Sequence, residues 1–194
     1  MNEIYDRKLV EEIKKSTLLT KNQLFQKSEK FYYLSLTIDE NGLTPVFSAW
    51  SWEALKQVSI ETTSPIEWIK WSYSDSPYFN FNETNFSNVK IAFENRGNIY
   101  TFQPHQWPDE LSVRINSMEC ALHELDLDGV FGTEKVRDSI VINAEIVPPD
   151  AANTSRARRL NPPAALKDWL IEAAEQLSNP ARSYGRLRNR CGWD

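Results

Sequence analysis

Residues 3–15 place Ile4, Leu9, Val10 and Ile13 near helical spacing with charges between them, which predicts an amphipathic helix, and a second short helix is expected over 22–29. The run FYYLSLTI over 31–38 is instead dense in aromatic and β-favouring side chains. It halts at Asp39-Glu40-Asn41-Gly42 and resumes over 43–47, which predicts a strand, a turn and a strand, because Asn and Gly both tolerate positive φ. Residues 51–58 read as a short helix capped by Ser48 or Ser51.

Between 65 and 102 aromatic residues are scattered among Ser, Asn and Asp without a clean period. Short strands are expected over 66–71, 89–93 and 98–102, the last following an Asn95-Arg96-Gly97 turn. The clearest element spans 108–125. Pro108 suits a helix start, Asp109 and Glu110 favour its positive end, and Leu111, Ile115, Met118, Leu122 and Leu125 form one apolar stripe. Residues 139–146 alternate, with Ile140, Ile142, Ala144 and Ile146 on one face, so a strand is expected to rest on that helix. A loop over 148–163 then leads to a helix capped by Asn161 and running to Leu177, with Leu166, Leu170, Ala173 and Leu177 inward, followed by an irregular tail over 181–194.

These elements predict an α+β fold, a mostly antiparallel sheet of about five strands with packed helices, because hairpin-type links outnumber βαβ spacings. A length of 194 residues fits a single domain over 1–194, and 41% apolar and 25% charged residues are ordinary for a globular chain. No apolar run approaches the roughly 20 residues a membrane span needs. The N-terminus has no signal-peptide layout, and Cys120 and Cys191 form no framework, so a cytoplasmic protein with free thiols is expected.

Charge is uneven along the chain. Residues 1–153 carry 14 Lys/Arg against 23 Asp/Glu, a net of −9, whereas 154–194 carry 8 against 4, a net of +4. An acidic body repels phosphates and favours encounter with basic partners. The arginines at 156, 158, 159, 182, 186, 188 and 190 have little aromatic interleaving beyond Tyr184, so specific nucleic-acid binding is not expected.

The run His123-Glu124-Leu125-Asp126-Leu127-Asp128-Gly129 is the one stretch that resembles a chemical site. It lacks a second histidine at metal-ligand spacing and the distal acid of a calcium loop, and it reads as a helix end followed by a turn. His105 is the other histidine, and no phosphate loop or nucleophile elbow occurs. Cys120 is placed roughly opposite the apolar stripe of its helix, without a partner base. No catalytic residue, cofactor or metal is therefore expected. A small hydrolase or transferase using His123, Glu124 and Asp126 is the alternative.

Seven tryptophans are many for this length. Trp50 and Trp52 share one side if they lie in an extended segment, and such amphipathic rings favour interfaces. Together with Glu124, Asp126 and Asp128 they are the candidate partner-binding residues.

Phe31-Tyr32-Tyr33-Leu34-Ser35-Leu36, Trp52-Glu53-Ala54-Leu55, Lys70-Trp71-Ser72 with Pro77-Tyr78, and the stretch from Leu122 to Gly129-Val130-Phe131-Gly132 resemble a bacterial family, the one catalogued as domain of unknown function 4303. The resemblance covers about 18–146, leaving 148–194 as a loop, a helix and a basic tail. It implies a cytoplasmic bacterial protein without established catalytic residues, of a kind found beside secreted toxins. That makes an immunity protein, one that neutralises a cognate toxin by stoichiometric binding, the expected function, with a basic toxin domain as the partner.

Overall fold

The computed structural model describes residues 5–62 and 65–174. The expected helix start before Tyr5, Leu177, Cys191 and the tail over 181–194 lie outside them.

Helix α1 (Arg7–Leu24) begins where the Asp6 carboxylate accepts from the N–H groups of Lys8 and Leu9. It is longer than the apolar pattern predicts and absorbs the start of the second expected helix. Its buried face continues at helical spacing through the hydroxyls Ser16, Thr17 and Thr20 to Leu24, so a hydrophobicity count loses the stripe where the helix does not. Strand β1 (Phe31–Asp39) pairs antiparallel with β2 (Val46–Ser51), as the hairpin signal predicts. The turn differs in detail. The Gly42 N–H bonds the Asp39 carbonyl at 2.9 Å and Gly42 has φ +63°, so the glycine follows the turn rather than sitting at its centre, and β2 starts three residues later than expected. A Cβ at Gly42 would come within 3.0 Å of the Trp107 ring.

Ser51 ends β2 and caps α2 (Trp52–Glu61), its hydroxyl accepting from the Ala54 N–H at 2.9 Å. After the single turn α3 (Ile66–Ile69) and a 3₁₀ turn (Glu83–Phe86) come α4 (Ser87–Glu94), α5 (Trp107–Leu127), the single turn α6 (Glu134–Arg137), strand β3 (Val141–Val147), α7 (Ala151–Leu160) and α8 (Pro163–Glu172). β3 pairs parallel with β1, giving the strand order β2-β1-β3.

The sheet therefore corrects the sequence expectation. It has three strands and is mixed, not about five and mostly antiparallel. Residues 66–69 and 87–94 are helical and 98–102 form turns, because an apolar run of four or five residues fits a helix turn as well as a strand and only its surroundings decide. The expected loop over 148–163 contains α7, and Pro162, not Asn161, stands at the cap position of α8.

β1 is central and buried along both faces, as its near-continuous apolar and aromatic sequence requires. On one face Leu34, Leu36 and Ile38 meet Ile13 of α1, Phe93 of α4, and Met118 and Leu122 of α5. On the other, Tyr32, Tyr33 and Trp50 pack with Leu55, Ile69, Leu166 and Trp169. An irregularity in the β1–β2 register between Phe31 and Tyr33 turns both tyrosines to this second face. The predicted stripe of α5 is buried at Ile115, Met118, Leu122 and Leu125, and only Leu111 is half-buried. No described helix is long and apolar enough to cross a membrane.

Candidate functional site

The structure separates the residues that the sequence groups together. Trp50 lies in β2, fully buried, with its indole N–H donating to the Ser72 carbonyl at 2.7 Å. Trp52 opens α2 and is 46% exposed. The chain changes from strand to helix between them, so alternation does not apply and the two rings do not share a binding face.

The acidic run is engaged in holding helices together. Glu124 accepts from Arg7 at 2.5 and 2.9 Å and from Lys14 at 2.8 Å, both on α1, and these hydrogen bonds hold its carboxyl down at about 2. Asp126 pairs with Arg137, whose guanidinium also donates to the carbonyls of Ile140 at 2.5 Å and Leu160 at 2.7 Å. Asp128 is exposed and 4.0 Å from Lys14. His123 is exposed and does not meet these carboxylates in a shared site, and His105 is exposed on a distant turn. Among the described residues no cluster of three or more His, Cys, Asp or Glu could hold a metal ion. Cys120 is half-buried beside the core rather than opposite it, its thiol 3.5 Å from Glu124.

The arginines of α7 divide similarly. Arg156 is buried, donates to the Ala144 carbonyl at 2.7 Å and is lowered by desolvation, while Arg159 pairs with Glu119 at 2.6 Å. Arg158 is exposed. Arg182, Arg186, Arg188 and Arg190 lie outside the described residues.

Two groupings were not legible from the sequence. The first is a polar row across the second face of the sheet, where Ser48, Ser35 and Asn143 stand side by side on the three strands. The Tyr33 hydroxyl donates to Glu145 at 2.6 Å and Asn143 to the same oxygen at 3.0 Å. Loss of water around Glu145 nevertheless raises its carboxyl above the usual value. The second is a set of exposed large apolar residues on α2 and α3, the α2–α3 face. Trp52, Ile60, Ile66 and Trp68 are 46%, 71%, 44% and 63% exposed, and the exposed carboxylates Glu53, Glu61 and Glu67 stand among them against one exposed lysine, Lys56. Ala54, Leu55 and Ile69 take the inward positions of these helices.

A cleft of about 610 Å³ lies elsewhere, between the β1–β2 turn and α4, with Leu43, Pro45 and Phe86 on its apolar side and Glu83, Lys90 and Glu94 on its polar side. Arg114 borders it, but its guanidinium is committed to Glu110 at 2.8 Å and to the carbonyls of Gly42 at 2.7 Å and Gly97 at 2.5 Å. The cleft has the size of a ligand pocket without an assembled nucleophile and base. Of the large apolar residues exposed among the described ones, α2 and α3 together carry four, including both exposed tryptophans.

No curated protein and no solved structure matches the chain. Residues 13–162 match a family model, and that span extends past 18–146 at both ends and includes α7. The chain therefore belongs to the family described as Domain of unknown function (DUF4303).

Proposed function

We propose that this protein is a stoichiometric inhibitor of the immunity type, which neutralises a basic toxin domain by covering it with the α2–α3 face. The observation that supports the reading is the exposure of Trp52, Ile60, Ile66 and Trp68 on two successive helices that also carry the exposed carboxylates Glu53, Glu61 and Glu67. Tryptophan is favoured as a binding anchor because a large rigid ring loses little conformational freedom when it is covered. Glu53, Glu61 and Glu67 give that face the charge that attracts a basic partner and opposes pairing with a second copy of itself. The commitment of Glu124 and Asp126 to ion pairs leaves the hydrolase or transferase alternative without a free acid beside His123.

Co-expression with the product of a neighbouring toxin-like gene tests the proposal. Growth is rescued when the two proteins are made in comparable amounts, and a one-to-one complex survives gel filtration. Failure to rescue, or rescue at amounts far below those of the toxin, overturns it.

A further inference from the structure

Two indole rings, Trp52 and Trp71, flank one ammonium group beside α2 and α3, and the Tyr32 ring packs against both. Tyr32 of β1 stacks on Trp52 with ring centroids 4.2 Å apart and meets Trp71 edge-on at 5.3 Å. The Lys70 Nζ lies 5.4 Å from the Trp52 centroid and 5.0 Å from that of Trp71. Glu172 of α8 completes the box, accepting from Lys70 at 2.9 Å and from the Trp71 indole N–H at 2.6 Å. Burial opposes ionisation of Glu172, but these two donors outweigh it and hold the carboxyl below its usual value. The Tyr32 hydroxyl donates to the Lys70 carbonyl at 2.6 Å and so fixes the backbone from which the lysine reaches in.

Ring faces and a carboxylate together make the chemistry that selects organic ammonium ions. Here the cation comes from the chain itself, on a flexible four-carbon stem, at a rim where Trp52 is open to water. We propose that this box is a cation-recognition site held shut by Lys70, and that its ligand is the ammonium group of a lysine-type side chain presented by the protein partner. The inference rests on the reading of the α2–α3 face as the contact surface and names the anchor that the partner supplies. Exchange of one ammonium for another keeps a cation against the Glu172 carboxylate throughout. A neutral side chain offers the ring faces and the Glu172 carboxylate no charge to attract, and the box therefore discriminates by charge. Because Lys70 must leave first, it weakens the apparent affinity by the fraction of time it occupies the site.

The probe is tetramethylammonium, with tert-butanol as a neutral control of similar shape, followed by NMR through the indole N–H signals of Trp52 and Trp71. The Lys70→Met variant is expected to bind the cation at least tenfold more tightly than the wild type, to ignore tert-butanol, and to lose the gain when Glu172→Gln is added. In the wild type, the Lys70 ε-methylene signals should leave their ring-shifted position in step with the indoles, and this arm decides the matter if Lys70→Met does not fold. Equal response to tert-butanol, no response in the folded variant, or a Lys70 that stays in place throughout the wild-type titration overturns the proposal. None of these readouts uses a toxin. Cation binding without growth rescue removes the inhibitor reading and leaves the site, whereas rescue without cation binding does the reverse.

Discussion

The side-chain amide of Asn161 pairs with the backbone of Ile142 as a neighbouring strand would, its Oδ1 accepting from the Ile142 N–H at 2.8 Å and its Nδ2 donating to the Ile142 carbonyl at 2.7 Å. Asn153 repeats the arrangement on Ile146, at 3.0 Å in both directions. Eight helical residues rise about 12 Å and four strand residues span about 13 Å, so α7 can run antiparallel to β3 with one asparagine at each end of the same stretch. The outer edge of the sheet is thereby closed without a fourth strand.

Loss of either clamp strands a backbone N–H and a carbonyl. Asn161→Ala is expected to lower stability by about 2 to 6 kcal/mol, given about 1 to 3 kcal/mol for each buried group left unpaired. Asn161→Asp retains the acceptor for Ile142 and should fall between the two in urea unfolding. An unchanged midpoint for Asn161→Ala would mean that the bonds contribute nothing net.

Leu122 is buried on the α5 stripe against the sheet. Leu122→Ala should cost about 2 to 5 kcal/mol, the range for a truncated core leucine. Leu127, two residues beyond the stripe and 74% exposed, provides the control, and Leu127→Ala should change the melting temperature little.

Elements whose own side chains carry their period were readable, and those held by distant polar partners were not. β1, α5 and β3 show the β or helical repeat directly, and Ser51 was recognisable as a cap because capping is a local contact. α7 reads as AANTSRARRL, with little apolar periodicity, since Asn153 and Arg156 attach it to β3 by hydrogen bonds. The acidic run misled for a related reason. Glu124 meets Arg7 and Lys14, more than 100 residues earlier in the chain, so a cluster that looks unpaired in sequence is neutralised in space. The aromatic box joins Tyr32, Trp52, Trp71 and Glu172, and only the tryptophan excess hinted at it.

Two carboxylates give stability opposite pH dependence. Glu124 is held at about 2 against an ordinary 4.5, so its contribution is present above pH 4.5 and is lost as the pH falls towards 2. Glu145 is raised, so folding favours its protonated form. The stabilisation from that form is complete below pH 4.5 and disappears as the pH rises through the folded value. Glu124→Gln should flatten the acid limb and lower neutral-pH stability modestly, since partly exposed ion pairs contribute about 0.2 to 1 kcal/mol each. Glu145→Gln can still accept from Tyr33 and Asn143 and should be more stable than the wild type at pH 7, with no gain at pH 4. Urea midpoints measured from pH 3 to 8 check both signs.

Trp50 and Trp52 stand two residues apart and should respond to truncation in opposite ways. Trp50→Ala empties a fully buried site and leaves the Ser72 carbonyl without its indole donor, so a loss of about 3 to 5 kcal/mol is expected. Trp52→Ala removes a half-exposed ring and its stacking on Tyr32, a contact of about 0.5 to 1.5 kcal/mol beyond the area it covers, so the fold should survive. In the complex the order reverses among folded variants. Trp52→Ala should weaken a cognate partner by about 2 kcal/mol or more, roughly thirtyfold, as loss of a central aromatic anchor does, chiefly through faster dissociation. Glu61→Lys with Glu67→Lys should instead slow association and reduce its dependence on salt, because those exposed carboxylates act at a distance rather than in a packed contact. Thermal unfolding separates the first pair of effects, and surface plasmon resonance at two ionic strengths separates the second. A Trp52→Ala protein that melts like the wild type and binds its partner with unchanged dissociation would remove the α2–α3 face from the contact.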